Sequence, residues 1–595
     1  MGSEICVSPS HRRAEILFTF ENRYHLHTIQ ITYMRWTIKP SPDPRKSKEL
    51  SESLNISECI ANLLIQRGVE TFEDAKKFFR PSLDDLHDPY LMKDMDKAVA
   101  RIQKAVDAGE NILIFGDYDV DGTTAVSLVS SYIKSFYPNV ATYIPDRYDE
   151  GYGISYKGID YADDNGISLI IALDCGIKSV DHVAYAKGKN IDFIICDHHR
   201  PGNELPDAVA VLDPKRADCP YPYDELCGCG VGFKLIQAIG MKKGETIEDV
   251  VGYLDLVATA IAADIVPITG ENRILAKFGL EVINSNPRPG IKALVWQVNK
   301  QSLDITDVVF IIAPRINAAG RIKHGNHAVE LLTELNFEQA QQFASEIEKY
   351  NSDRKDLDKQ ITVEALRQIE ENLEHECYST VVYAENWHKG VIGIVASRLI
   401  ETYYRPTLVF TKSGDKLAAS ARSVKDFDIY NALESCSEHL EQFGGHMYAA
   451  GMTIKEENYP LFKDAFEKCV RETMHPDLRT PEVLIDCELD FSDINPKFMR
   501  ILKQFEPFGP GNMTPVFATR ELLDTGYAKT IGEDNCHLKL FVKQNGSDGI
   551  PAIGFGLGKK IEAVANTKKF EAAYCIDENE WNGAVSLQLR IKDIR

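Results

Sequence analysis

Ile112-Leu113-Ile114-Phe115-Gly116-Asp117-Tyr118-Asp119-Val120-Asp121-Gly122 is the stretch on which the reading of this fold turns. Its first four residues form the continuous apolar run of a strand buried on both faces. The run then ends in carboxylates at alternate positions, and a single unpaired buried carboxylate costs several kcal/mol. Something positive must offset them, and metal ions are the economical source. Ile194-Ile195-Cys196-Asp197-His198-His199 repeats the arrangement, with an apolar run that delivers an acid and two imidazoles.

Outward from this stretch, apolar runs recur at 111–115, 140–145, 168–173, 191–196 and 208–212, separated by segments long enough for helices. That alternation predicts an α/β domain with a doubly wound parallel sheet, whose ligands gather beyond the carboxyl ends of its strands. The acids fall there: Asp117 to Asp121 after the first strand, Asp174 in Leu173-Asp174-Cys175-Gly176 after the third, Asp197 after the fourth. On extended backbone alternate side chains point the same way, so Asp117, Asp119 and Asp121 are expected on one side of a turn that Gly122 lets bend. Thr123-Thr124 begin the next helix, whose N-terminus favours an anion. Helical patterning continues to about residue 265 and carries Leu256 to Ile261 into Asp264. His198 adds a nitrogen ligand and Asp264 an oxygen. A mixed carboxylate and imidazole set without thiolates suits Mn²⁺ or Mg²⁺ better than Ca²⁺ or structural zinc. Two such ions about 3.5–4 Å apart can activate a water and stabilise the leaving oxygen of a phosphodiester. Cys219, Cys227 and Cys229 do not make a zinc site, because a fourth ligand is missing and Gly228 to Phe233 reads as the start of a helix.

The 595 residues have room for three or four domains, and 44% hydrophobic with 26% charged content is ordinary for a globular protein. No apolar run approaches the roughly 18 residues that span a bilayer. Thirteen cysteines at irregular spacing point to reduced thiols and a cytoplasmic location. A net charge of −22 runs against the basic faces usual in nucleic-acid-binding proteins, although metal-bound carboxylates contribute acid that cations neutralise locally. Residues 1–49 read as a leader, with Met34-Arg35-Trp36 as an alternative natural start, and 50–330 as the α/β domain with a helical, polar opening. No Pro or Gly interrupts 336–374, so 331–376 is expected to be a linker helix. A smaller α/β lobe at 377–478 follows, with strands near 380–383, 407–410 and 418–420, and alternating segments make 479–595 a small β-barrel.

Asp119-Val120-Asp121-Gly122, Leu173-Asp174-Cys175-Gly176, Asp197-His198-His199 and Ala263-Asp264-Ile265-Val266-Pro267 together resemble the four motifs of the DHH phosphoesterase superfamily. Three further segments resemble signatures of its bacterial branch of single-strand-specific 5′-to-3′ DNA exonucleases. They are Pro314-Arg315-Ile316-Asn317-Ala318-Ala319-Gly320-Arg321, Gly444-Gly445-His446-Met447-Tyr448-Ala449-Ala450-Gly451 and Phe505-Glu506-Pro507-Phe508-Gly509-Pro510-Gly511-Asn512. The resemblance runs from about residue 50 to the C-terminus. It implies a DHH catalytic domain, a DHH-associated domain at 377–478, and an OB-fold nucleic-acid-binding domain at 479–595 entered near Phe505. It implies that Asp117, Asp119 and Asp174 hold one metal ion and that Asp121, Asp174, His198 and Asp264 hold a second, with Mn²⁺ favoured over Mg²⁺. Asp117 stands where many superfamily members have a histidine. The implied catalytic pair is Asp197, which orients the site, and His199, which contacts the scissile phosphate. Arg147, Arg315, Arg321, Ser420 and Arg422 would meet the 5′ phosphate or backbone, and Gly445 and His446 would meet DNA. In the barrel, Lys539, Phe541, Lys543, Arg590 and Lys592 would supply stacking and a basic track. The resemblance further implies release of 5′ mononucleotides in DNA repair and recombination by a monomer that works with a single-strand-binding protein and a RecQ-type helicase, away from any membrane. Two other readings stay open: a DHH phosphodiesterase of short oligonucleotides or cyclic dinucleotides, and a DHH-fold scaffold that binds DNA without cutting.

Overall fold

The computed structural model describes residues 34–298, 300, 302–544, 546–565, 568–581 and 584–595, so the leader expected at 1–33 lies outside the described residues. Residues 34–49, the remainder of that stretch, carry secondary structure. Arg35–Ile38 is a strand, the Arg35 amide donates to the Pro481 carbonyl at 2.8 Å, and a helix begins at Pro44 with Asp43 as its cap.

Two compact units emerge, one built from 38–480 with 484–516, the other from 34–37, 481–483 and 517–595. The first contains the five-stranded sheet that the sequence announces. Its strands are β1 (Asn111–Gly116), β2 (Val140–Tyr143), β3 (Ile167–Leu173), β4 (Asp192–Cys196) and β5 (Ala210–Leu212), in the order β2-β1-β3-β4-β5. Every pairing is parallel. The pleat sorts the apolar runs to two cores. Ile112, Ile114, Leu169, Ile171, Leu173 and Ile194 face one, and Leu113, Phe115, Ile170, Ala172, Phe193 and Ile195 face the other. Both faces are covered, so the strands read as unbroken hydrophobic runs. The strand order reverses between β1 and β3, and a ligand crevice belongs above that switch point.

The helices that matter to the crevice are α1 (Met95–Ala108), α2 (Val120–Lys134), α3 (Gly228–Lys243), α4 (Leu254–Asp264), α5 (Gly270–Ser285) and α6 (Ala313–Ile322). α7 (Phe337–Glu371) is a single 35-residue helix, opened by Asn336, whose side chain accepts the Gln339 amide. Its buried stripe turns polar midway, where Arg354 donates to Asn351 and to Asp358 and Arg398 pairs with Asp358 at 2.8 Å. Beyond it a second sheet comprises β6 (Thr380–Tyr383), β7 (Thr407–Ser413), β8 (Lys416–Arg422), β9 (Gln442–His446) and β10 (Ala449–Lys455), with α8 (Ile392–Thr402) packed on it. Its order is β9-β10-β8-β7-β6, and the last pair alone is parallel. The β9–β10 hairpin is a feature that the glycine-rich sequence at 444–451 hid.

The second unit is a ring of strands: β11 (Phe517–Asp524), β12 (Lys529–Ile531), β13 (His537–Gln544), β14 (Ile550–Gly554), β15 (Phe570–Trp581) and β16 (Ala584–Ile594). Pairing of β11 with both β15 and β13 closes it. Along β13, Leu538, Leu540 and Val542 point inward, and Lys539, Phe541 and Lys543 point out.

Candidate metal centre and phosphate pocket

Asp117 leaves β1 fully buried; its Oδ1 accepts the Gly153 amide at 3.1 Å, and its Oδ2 has no hydrogen-bond partner. Asp119 is the N-cap of α2, accepting the Gly122 amide at 3.0 Å. Asp121 already lies in the first turn of that helix. The expected alternation along an extended chain therefore ends at Asp119, and helical geometry aims Asp121. It aims at the N-terminus of α3, where the Gly228 and Cys229 amides donate to its two oxygens at 2.6 and 2.7 Å. Only glycine fits at two points here. A Cβ on Gly122 would lie 2.4 Å from the Asp117 carbonyl oxygen, and one on Gly228 would lie 2.5 Å from the Asp174 Cβ. Cys227 caps α3 through its sulfur, and Cys229 is buried in the core.

Asp174 follows β3 in the left-handed region at φ 58°, 1% exposed, with its Oδ1 unpartnered. Such backbone strain persists where surrounding structure imposes it, commonly at functional sites. The His198 Nε2 lies 3.2 Å from that oxygen, 3.6 Å from Asp264 Oδ2 and 3.8 Å from Asp121 Oδ2, and it makes no hydrogen bond. Asp121, His198 and Asp264 each offer a ligand atom within 4.8 Å of the others, and so do Asp174, His198 and His199. Asp197 does different work. Its carboxylate accepts the amides of Ile177, His198 and His199 and the His199 Nδ1 at 2.8 Å. That fixes the His199 ring, whose Nε2 faces the Tyr152 hydroxyl at 3.3 Å.

Electrostatics single out the cluster. Burial, then neighbouring carboxylates, pushes Asp117, Asp121 and Asp174 well above the usual carboxylate range and Asp264 up to about 7. Burial lowers His198 to about 3 and keeps it neutral. Burial would raise Asp197, yet its hydrogen bonds, that from His199 first, hold it at about 2. Burial likewise opposes the His199 charge, but Asp197 prevails and raises the imidazole above its ordinary value. Crowded buried carboxylates, orphaned oxygens and an unpartnered neutral imidazole are what a divalent cation relieves, so the donor set fits metal.

A consequence is a pH trend in the metal-free protein. Raised carboxyl pKa values mean that the folded chain keeps protons its unfolded form releases, so stability falls as pH rises toward and through about 7 for Asp264, and the raised Asp117, Asp121 and Asp174 act in the same direction. His198 opposes this only below its ordinary 6.5, since above it the ring is neutral in both states. The metal-free melting temperature is therefore expected to fall from about pH 6.5 to about pH 8. Saturating Mn²⁺ should remove or reverse the slope, because its ligands must be deprotonated. Calorimetry at both pH values, with and without metal, checks this.

Beside the acids lies a basic pocket. The Arg147 guanidinium stacks 4.4 Å from the ring of Tyr118, the residue between Asp117 and Asp119. Arg321, at the end of α6, donates to the Gly390 carbonyl at 2.8 Å, and Arg422 on β8 donates to the Ser420 hydroxyl at 3.1 Å. Burial and the charges of Arg147, Arg422 and Arg354 lower Arg321 to about 9, and burial and Arg147 lower Arg422. Among the described residues no carboxylate forms an ion pair with Arg147, Arg321 or Arg422. Gly393, in the first turn of α8, leaves room for them: a Cβ there would come within 2.9 Å of Ser420 and Arg422 atoms. Converging guanidiniums, a hydroxyl and a helix N-terminus make an anion site.

Other sequence candidates are placed differently. Arg315 is spent on an ion pair with Glu348 at 2.6 Å that ties α6 to α7. Gly445 has φ 149°, and a Cβ on it would strike the Ala449 carbonyl at 2.3 Å, so the close approach it permits is that of its own hairpin partner. His446 is exposed on the same edge strand. Arg590 pairs with Asp577 at 3.0 Å on the outside of the ring, whereas Phe541 lies beside Tyr527, which is 72% exposed. Sequence reasoning missed Gly228, Gly153, Tyr152 and Gly393. A glycine opening a helix was the available signal for Gly228 and Gly393.

An open sheet with this strand order, and Asp, Asp-His-His and Asp at successive strand and helix ends, defines a DHH-type phosphoesterase. The signature of the DHH family, N-terminal domain, matches residues 111–261, that of the DHHA1 domain 377–472, and that of the RecJ OB domain 485–593. The chain belongs to the RecJ family. It is 36% identical over 570 residues to the single-stranded-DNA-specific exonuclease RecJ of Bacillus subtilis, covering 94% of this chain and 70% of that one. Its structure matches RecJ of Thermus thermophilus in complex with Mn²⁺ with a TM-score of 0.81 at 27% identity, over 94% of this chain and 79% of that one. The Mg²⁺ complex of the same protein matches with a TM-score of 0.75, again at 27% identity, over 94% and 78% of the two chains.

Proposed function

We infer that this chain shortens single-stranded DNA from its 5′ end, hydrolysing one phosphodiester at a time with two divalent cations and releasing 5′ mononucleotides. As a RecJ-family member it is a metal-dependent nuclease that acts on single-stranded DNA. The observation that carries the 5′ polarity is the three-arginine pocket without carboxylate partners, beside the acidic cluster and joined to it through Tyr118. A terminal phosphate seated there puts the first phosphodiester within reach of the acids.

In this reading Asp117, Asp119 and Asp174 would hold one ion, and Asp121, Asp174, His198 and Asp264 would hold the other. Bound there, the cations would supply Lewis-acid activation of a water and neutralise charge on the leaving oxygen. The chain does the rest. The α3 amides keep Asp121 in place, burial keeps His198 neutral for ligation, and Asp197 orients His199 and favours its charged form, which would donate to a phosphate oxygen. A nitrogen ligand in an otherwise oxygen set favours Mn²⁺ over Mg²⁺. The same reading makes 50–330 the catalytic domain, 331–376 its linker, 377–478 the DHH-associated domain and 479–595 the strand-gripping domain. It has the protein act as a monomer in the cytoplasm, with a single-strand-binding protein and a RecQ-type helicase supplying the strand. No described helix is long and apolar enough to cross a membrane.

The direct test is a Mn²⁺ and Mg²⁺ titration on 5′- and 3′-labelled single and double strands. Early release of the 5′ label as mononucleotide, from single strands only, is expected; early 3′ release would overturn the polarity. Preferential cleavage of cyclic dinucleotides would favour the other phosphodiesterase reading. For the ring, Tyr527→Ala and Phe541→Ala should each raise the Kd for a long single strand about 5- to 150-fold, since a stacked base contributes about 1–3 kcal/mol. Cleavage of a very short oligonucleotide should change little.

A further inference from the structure

One signature segment plays no part in the site as described. Phe505–Asn512 lies in the same compact unit as the five-stranded sheet, against the loop that leaves the end of α4. Asp264 is the last residue of α4, and among the described residues its carboxylate accepts no hydrogen bond. The chain leaves the helix there through Ile265 at φ 61°, then Val266, Pro267, Ile268 and Thr269, before Gly270 opens α5 at φ 44°. On one side the Tyr223 hydroxyl and the Asn272 carboxamide hold the Pro267 carbonyl at 3.3 and 3.1 Å. On the other side lies the 505–512 segment. The Ile268 amide donates to the Pro510 carbonyl at 2.7 Å. Gly509 is flush against Ile268, since a Cβ would lie 2.4 Å from its Cγ1, and one on Gly511 would lie 2.8 Å from the Thr269 methyl.

The segment is itself rigidly held. Asn512, 1% exposed, donates to the Phe505 and Pro507 carbonyls at 2.7 and 2.9 Å and accepts the Arg67 Nε at 2.8 Å. Arg273, in the first turn of α5, spends its guanidinium on the carbonyls of Gln504, Phe505 and Glu506. Its Nε donates to the Phe78 carbonyl at 3.2 Å and its guanidinium stacks 4.0 Å from the Phe78 ring, so one buried arginine joins the start of α5 to the segment through several contacts.

We propose that Phe505–Asn512 is a positioning strap for Asp264, clamping the 265–270 loop so that the carboxylate stays within reach of His198. The proposal rests on reading Asp264 as a metal ligand. Partners that orient ligands typically change metal affinity 10–100-fold when removed. The test is a Mn²⁺ titration of the full chain by electron paramagnetic resonance, with melting temperature in parallel. Gly509→Ala is expected to weaken one of the two ions about tenfold and leave the other unchanged. Adding Ile268→Ala removes the atom that the new methyl meets and should restore the affinity, and loss confined to one ion separates the strap from general destabilisation, which would weaken both ions and lower the melting temperature. Asn512→Ala loosens the strap without adding bulk and should show the same selective loss if Gly509→Ala fails to fold. Folded variants that bind both ions as tightly as the parent, while Asp264→Asn loses one, overturn the strap alone. An Asp264→Asn protein with the parent isotherm overturns the ligand reading and the strap with it.

Discussion

Asp174→Asn is expected to lower hydrolysis about a thousandfold or more, yet leave the metal-free protein as stable as the parent or more so. The change is nearly isosteric, and Asn tolerates the left-handed conformation that residue 174 adopts at φ 58°. What disappears is a charge. In the parent that charge is buried beside Asp121, Asp119, Asp264 and Asp197, and burial with their repulsion drives its proton affinity up. A neutral amide ends the repulsion, so the apo melting temperature should hold or rise. On the proposed function the same carboxylate would serve both ions. Its loss would forfeit several kcal/mol of transition-state stabilisation, and about 4 kcal/mol is a factor of 10³. Mn²⁺ should also no longer raise the melting temperature as it does in the parent. Full activity in Asp174→Asn would refute the assignment. A lower apo melting temperature would show instead that the carboxylate serves the fold.

Arg422→Ala should cost about 10- to 100-fold in kcat/KM on 5′-phosphorylated ends and much less on 5′-hydroxyl ends. A hydrogen bond to a charged group contributes about 1.5–3 kcal/mol, and a guanidinium facing a phosphate makes such bonds in a fixed fork. Arg422 is positioned for that contact by Ser420 and by its own strand, since it donates to the Ser420 hydroxyl and the Ala421 carbonyl. It is held near Arg147 and Arg321 without a carboxylate partner among the described residues, a repulsion that a phosphate would relieve. The measurement is a paired assay on oligonucleotides that differ in the terminal phosphate alone. An equal loss on both ends would mean that Arg422 grips the backbone generally.

Much of the site is legible in the chain because strand and helix periodicities are local. Ile112 to Phe115 and Ile194 to Cys196 read as buried strands, and acids at their ends mark the crevice of any doubly wound sheet. Local periodicity also misleads. Alternation along 117–121 predicts three carboxylates on one side, but α2 starts at Val120, so the last acid turns with the helix and finds amides 107 residues away. Arg315 and Arg321 share one motif and one helix, and nothing in their spacing tells that Glu348 claims the first. The glycines of 444–451 suggest room for a ligand, and the structure fills that room with a hairpin.

By itself, then, the sequence determined the α/β class, the long interruption-free helix and the strand ends at which charge gathers. These follow from backbone geometry and burial over a few residues. The tertiary structure alone decided which amides hold Asp121, which arginines stay free of carboxylates, and that Phe505–Asn512 braces the loop after Asp264. Each of those is a contact between segments far apart in the chain, and such contacts arise from packing against partners that no local pattern encodes.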